Sequence, residues 1–368
     1  LYITDWEQHS FQNTLIIHSG KDYKHLNKGN IPVYGTGGYM LSVDEKLSKV
    51  DGIGLGRKGT IDKPQYLKAP FWTVDTLFYM TPKSNFEILF LYAIVQKFNW
   101  KKLNEASGVP SLSKKTIEKV MQFYPTQLEQ KKLGYLLKII AETIALQQQQ
   151  LNLYIKLKKG LLQKLFPKNG EMVPEIRFAD FTGDWEQHKL GTLIVPFNKT
   201  TTINNQYPVL TSSRKGLFFQ TDYYDGNQIA SKNNIGYNIV PRGYFTYRHM
   251  SDDLIFKFNI NNLVDNGIVS TLYPVFTVNN KLDSEYLKYQ LNDGEEFKRF
   301  AITQKQGGSR TYMYLSKLKK LLLTIPNLDE QVEISNFLDS LNSVINLQQE
   351  KLNELEALKK YLLQKLFI

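Results

Sequence analysis

The chain has 368 residues, 42% of them apolar and 22% charged, which suits two or three folded domains and leaves no apolar run long enough to span a bilayer. It has no cysteine, which excludes disulfides, thiolate metal sites, cysteine nucleophiles and cysteine-dependent methylation at base C5. The net charge of +11 favours a polyanionic partner, nucleic acid first, and a start at Leu1 without a basic and apolar leader reads as a trimmed cytoplasmic protein. In chain order, β-rich runs cover 31–34, 53–56 and 72–79, a helix covers 87–98, and a long helix follows Pro125 and ends before Pro167. Further β-rich runs cover 208–210, 237–240, 243–247 and 269–278, a helix covers 284–291, and a second long helix follows Pro326.

An internal repeat organises these elements. Asp5-Trp6-Glu7-Gln8-His9 recurs as Asp184-Trp185-Glu186-Gln187-His188, an offset of 179. Residues 157–166 recur as 358–367 with one change, Gly160 to Tyr361, an offset of 201. The chain is a tandem duplication whose second copy carries 22 extra residues in its middle. In the first long helix, Leu133, Leu137, Ile140, Ile144, Gln147, Leu151, Tyr154, Lys158, Leu161 and Leu165 follow steps of four and three, the seam of a coiled coil. The second long helix repeats the register through Ile334, Leu338, Leu341, Ile345, Gln348, Leu352, Leu355, Lys359, Leu362 and Leu366. Two narrow seams in one register predict an antiparallel pair related by a pseudo-twofold, with Gln147 and Gln348 meeting near the middle. The fold class is α+β: two globular blocks, 1–127 and 168–327, each followed by a spacer helix, 128–167 and 328–368. Outside their edges the two blocks hardly resemble each other.

The glycine loops carry the candidate contacts. Gly54-Leu55-Gly56-Arg57-Lys58-Gly59 matches the dinucleotide fingerprint, but no helix follows to receive a pyrophosphate. A turn presenting Arg57, Lys58 and Thr60 suits a phosphate backbone or a guanine edge better. Thr36 and Gly37 in one copy, and Ser212, Ser213, Arg214 and Lys215 in the other, occupy matching loops after a short strand. Alternation along residues 241–248 places Arg242, Thr246 and Arg248 on one face. Ser111 and the pair Ser309 and Arg310 lie in a third matched pair of loops before the long helices. The chain lacks a phosphate-loop Gly-Lys-Ser or Gly-Lys-Thr and any Pro-Pro dipeptide, so it has neither a motor nor an amino-methyltransferase signature. His9, His18, His25, His188 and His249 show no metal-ligand spacing, and no catalytic residue is assigned.

Taken in their order within the duplicated frame, residues 31–38, 56–61, 74–79 and 234–247, with Glu129-Gln130 and Glu330-Gln331 opening the long helices, resemble the specificity subunits of type I restriction-modification systems. The resemblance spans essentially the whole chain. It implies two target-recognition domains that each read half of an asymmetric bipartite duplex, and spacer helices that dock two copies of the modification subunit. It further implies that a restriction and translocase subunit completes the complex. S-adenosylmethionine and ATP would then reside on the partners, and this chain would hold no cofactor or metal. Residues 173–179 have no counterpart ahead of Leu1, from which a shortened N-terminus is expected. The competing readings are a coiled-coil scaffold that binds only proteins, and a nucleotide-dependent enzyme built on 54–59.

Overall fold

In a computed structural model the chain is described over residues 6–168, 170–226, 231–305 and 310–366. It forms two compact units, residues 1–150 with 348–368, and residues 151–347. The long helices Gln127–Lys164 and Leu328–Lys365 each begin in one unit and end in the other.

The first unit contains β1 (Glu7–Ser10), β2 (Leu15–Ser19), β3 (Lys28–Gly35), β4 (Gly38–Val43), β5 (Gly52–Gly56), β6 (Gln65–Leu67), β7 (Trp72–Thr73), β8 (Leu77–Pro82) and β9 (Met121–Tyr124). Strands β2, β8, β5 and β6 form an antiparallel sheet in that order, while β4, β3 and β7 form a second sheet. The single run expected over 72–79 is therefore two strands in two sheets. A turn that donates Leu77 N to Val74 O at 2.9 Å separates them, because strand propensity continues through a corner that only tertiary pairing reveals. Ile53 and Leu55 point from β5 into a core built around the helix Ile88–Lys97, where Phe90, Leu91 and Ile94 are buried. Leu133 and Leu137, from the start of the first long helix, join that core, and Leu362, Leu363 and Leu366 close it from the end of the second. The start of one helix meeting the end of the other makes the pairing antiparallel. Farther along the same unit Gln147 donates its Nε2 to Gln348 Oε1.

The second unit contains β10 (Glu186–Lys189), β11 (Ile194–Pro196), β12 (Leu210–Ser213), β13 (Gly216–Phe219), β14 (Asn238–Pro241), β15 (Phe245–Tyr247), β16 (Met250–Ser251), β17 (Phe258–Ile260), β18 (Asn266–Val269), β19 (Val275–Val278), β20 (Thr311–Tyr312) and β21 (Leu322–Ile325). Its main sheet runs β11, β19, β15, β17, the same path as β2, β8, β5, β6. The two blocks thus share a topology that their residues do not show. The run expected over 269–278 also divides, into the end of β18 and β19, around a turn donating Tyr273 N to Ser270 O at 2.9 Å. Leu161, Leu162, Leu165 and Phe166 from the end of the first long helix pack into one core with Ile334 and Leu338 from the start of the second, which repeats the antiparallel closure.

Along the seam, Leu137, Ile140, Gln147, Leu151, Leu338 and Leu352 are buried, and Ile144, Leu341, Ile345 and Gln348 are half-buried. The repeated anchors form matched strand pairs, β1 with β9 and β10 with β21. His9 lies 3.2 Å from Glu7 and His188 lies 3.1 Å from Glu186, both inside these frames. Each helix opening is tied down by a buried glutamine. Gln130 donates to Pro125 O at 2.9 Å and accepts from Glu87 N at 3.1 Å; Gln331 donates to Pro326 O at 2.9 Å and accepts from Asp283 N at 2.8 Å.

Candidate nucleic-acid interface

In each unit the third strand in the order of the main sheet is followed directly by an arginine. After β5, the backbone of Arg57 donates to Thr76 O at 2.8 Å, Gly59 N donates to Pro110 O at 2.8 Å, and Leu112 N donates to Arg57 O at 3.0 Å. Gly56 is needed for this approach, since a Cβ there would lie 2.0 Å from Thr60 O. The pinned loop presents exposed Arg57 and Lys58 beside a cleft of about 340 Å³ shared with Ser19, Phe78, Ser111 and Lys114. The Arg57 guanidinium lies 5.8 Å over the Phe78 ring. Thr60 is half-buried behind the loop.

After β15, exposed Arg248 stands at the matching strand end, beside a cleft of about 340 Å³ whose wall includes Arg214, Lys215, Tyr223, Asp252 and Tyr273. Among the described residues neither Arg57 nor Arg248 has a carboxylate in ion-pair range. Four other arginines of the second unit, Arg177, Arg214, Arg242 and Arg310, do. Arg214 bonds both oxygens of Asp253 at 2.6 and 2.8 Å, and with Ser251 it holds that carboxyl down to about 2. Arg310 reaches Asp252 through Nε at 3.0 Å, which leaves its terminal fork uncommitted to that carboxylate. Arg242 is spent on its own loop, with Nε to Asp265 at 3.0 Å and Nη1 to Asn262 O at 2.8 Å.

The matched loops contain the tips of two-residue hairpins, although Ser212 and Ser213 belong to strand β12 and not to the tip. Thr36-Gly37 joins β3 to β4 and Arg214-Lys215 joins β12 to β13, each followed by a glycine at positive φ, Gly38 at 113° and Gly216 at 137°. Gln65 Nε2 fixes the first tip by bonding Gly35 O at 2.8 Å. Ser213 closes the second by accepting from Lys215 N at 3.1 Å.

Two of the expected contact residues do not face outward. Thr246 is 0% exposed, because both faces of central strand β15 are covered and alternation then selects no solvent side. Ser212 is buried as well, donating to Thr246 O at 3.2 Å and accepting from Asn259 Nδ2 at 2.8 Å. Ser309 lies outside the described residues. The carboxylates Asp252 and Asp253 and the parallel rings of Tyr312 and Tyr314, 5.8 Å apart at 11°, were not singled out by sequence. An Asp-Asp dipeptide in a loop carries no periodic signal, and the two rings are neighbours two residues apart on one segment, with His249 stacked on Tyr314. Among the described residues no group of histidine and carboxylate side chains could hold a metal ion, and no helix is long and apolar enough to cross a membrane.

Residues 12–157 and again 182–357 match the family model described as the type I restriction modification DNA specificity domain. Over 291 residues the chain is 22% identical to the type I restriction enzyme MjaVIII specificity subunit of Methanocaldococcus jannaschii. That match covers 71% of this chain and 64% of the relative, so less than two thirds of the relative's length is spanned. The fold is similar to the crystal structure of a type I restriction-modification S subunit from M. genitalium, with a TM-score of 0.67 at 11% identity over 100% of this chain and 98% of that one. A further solved structure, described by complex assembly and conformational transition of the type I R-M system, gives a TM-score of 0.50 at 14% identity over 98% and 97% of the two chains.

Proposed function

The chain belongs to the family of type I restriction-modification DNA specificity domains, and from that premise we propose that it is a specificity subunit whose two units read the two halves of an asymmetric DNA target. One observation carries this reading: two blocks of one topology and divergent sequence each set an arginine free of carboxylates, Arg57 and Arg248, at the same strand end beside a cleft. An unpaired guanidinium can bond a guanine edge through two N–H groups, so the bases chosen depend on what surrounds it in each block.

The modification subunits, two copies of them, dock on the outer faces of the long helices in this reading. Leu146 is 66% exposed in the first unit, and Leu153 and Leu347 are 58% and 63% exposed in the second, apolar surface that an isolated helix pair has no reason to keep. Adenine methylation and DNA cleavage, with their S-adenosylmethionine and ATP, then belong to partner subunits in the cytoplasm, and this chain is a non-catalytic reader. Arg57→Ala and Arg248→Ala test the assignment. Each should cost about 1–3 kcal/mol on target DNA and relax one position in its own half-site, read by sequencing methylated DNA from cells that carry the complex. Wild-type affinity and site choice in both variants would refute it.

A further inference from the structure

A second depression in the 151–347 unit plays no part in the reading assigned to Arg248. It is a groove of about 370 Å³ walled by four lysines: Lys158 near the end of the first long helix, Lys215 at a hairpin tip, Lys257 just before β17, and Lys288 on the helix Ser284–Asp293. Lys158, Lys257 and Lys288 are half-buried. Lys288 pairs with Glu285 and stands 5.5 Å over the Tyr289 ring. Among the described residues Lys158, Lys215 and Lys257 have no carboxylate in ion-pair range. Asp293 on the same wall offsets part of the charge, yet burial and the nearby ammonium groups of Lys158 and Lys288 hold Lys257 below the ordinary lysine range. Like charges gathered in a partly desolvated groove repel one another, and a bound anion removes that repulsion.

Its surroundings indicate which anion. Of the four asparagines on its wall, three are already committed, Asn259 to Ser212 and Ser213, Asn292 to the backbone of Phe258, and Asn342 to Tyr289, while Asn262 stands exposed. What remains is four ammonium groups and one exposed amide, which suits a phosphodiester better than the base and ribose of a nucleotide. Lys215 and Lys257 also line the cleft beside Arg248, so the groove continues from that cleft through the same two side chains. In the first unit Lys359 holds the position of Lys158, but the match stops at the helix packed against it. Counted from the residues that bond the helix glutamines, Asp283 and Glu87, the position of Lys288 is held by Tyr92, whose ring packs 5.6 Å from Tyr66.

We infer that the groove of Lys158, Lys215, Lys257 and Lys288 is a phosphate site that grips the DNA backbone next to the half-site read by the second unit. The inference rests on the reading of the chain as a DNA specificity subunit. A backbone contact adds affinity without sequence choice, and each neutralised phosphate adds about 0.9 to the slope of log affinity against log salt.

The test uses the full chain and a duplex of random sequence titrated over a range of salt. Lys158→Gln, Lys257→Gln and Lys288→Gln should each lower the slope by about 0.9 and weaken random and target duplexes by the same factor, with methylation sites unchanged. Lys257→Arg should restore the slope. Lys215→Gln, at an exposed turn that carries no core packing, gives the same readout where a buried variant melts early. Wild-type slopes in all four glutamine variants, with duplex binding by the wild type intact, would overturn the phosphate site and leave the specificity reading standing. A groove that takes ATP alone, with no change in the duplex slope, would also overturn it. A wild-type chain that binds no duplex would overturn the specificity reading itself, and this site with it.

Discussion

At the residue scale, the carboxylates sort the arginines. Arg57 and Arg248 are available to a ligand, Arg214 must leave Asp253 to become so, and Arg242 is a loop brace. Arg57 stood out in the sequence as a basic residue in a glycine turn, and Arg248 through alternation along residues 241–248. Thr246 was misplaced because alternation assigns a face but cannot tell that both faces of a strand are covered, and Ser212 because the strand expected to end at Leu210 runs on to Ser213 and buries it. Gln147 and Gln348 were legible as seam positions, and their side chains bond each other. Replacing Gln147 alone with Leu strands the Gln348 amide and should lower stability by about 1–3 kcal/mol. Replacing both with Leu removes a polar pair from an apolar seam and should raise the melting temperature above that of the wild type while loosening the register. Melting the single and double variants checks this; a single variant as stable as the double would mean that the glutamines are not a coupled pair.

At the element scale, the seam helices were legible nearly to their ends, since a heptad period is written locally and Pro125 and Pro326 mark where it can begin. The strands were less so. Residues 72–79 and 269–278 are continuous in β-formers, and only the sheet that each end joins reveals the break. Gln130 and Gln331 show how a helix opening fixes its surroundings. Each side chain caps a proline carbonyl behind it and receives the backbone N–H at the start of the helix packed against it. Gln331→Ala leaves the Asp283 N–H and the Pro326 carbonyl without those partners and should cost about 1–3 kcal/mol in denaturant unfolding, as should Gln130→Ala in its own unit. Losses under about 0.5 kcal/mol, the range of ordinary surface changes, would show that the tie is incidental.

At the scale of the whole molecule, the shared path of the two main sheets was hidden. It is set by which strands pair across tens of residues, and divergent side chains can satisfy the same pairing. The duplication itself was plain, and it makes a strong prediction for the fragment of residues 172–368. That fragment keeps one recognition block and the whole second helix, but loses Leu161, Leu162, Leu165 and Phe166, which close its core. Exposing such residues costs roughly 1.5–3 kcal/mol for each fully buried aliphatic side chain, and the end of the same helix in a second copy carries Leu362, Leu363 and Leu366 in matching register. An antiparallel homodimer should form and direct methylation to an interrupted palindrome, as measured by light scattering and by sequencing methylated DNA. A fragment that remains monomeric while binding DNA, or a dimer that methylates an asymmetric site, would contradict the prediction. The crossing of the helices between units also bears on inheritance. Each core is closed by the end of a long helix that begins in the other unit, and the two ten-residue tails differ at one position, Gly160 against Tyr361. A genetic breakpoint within either tail would hand a block a seal that already fits, so a gene of this design can acquire a new target by shuffling whole cassettes, without waiting for point mutations to rebuild a core.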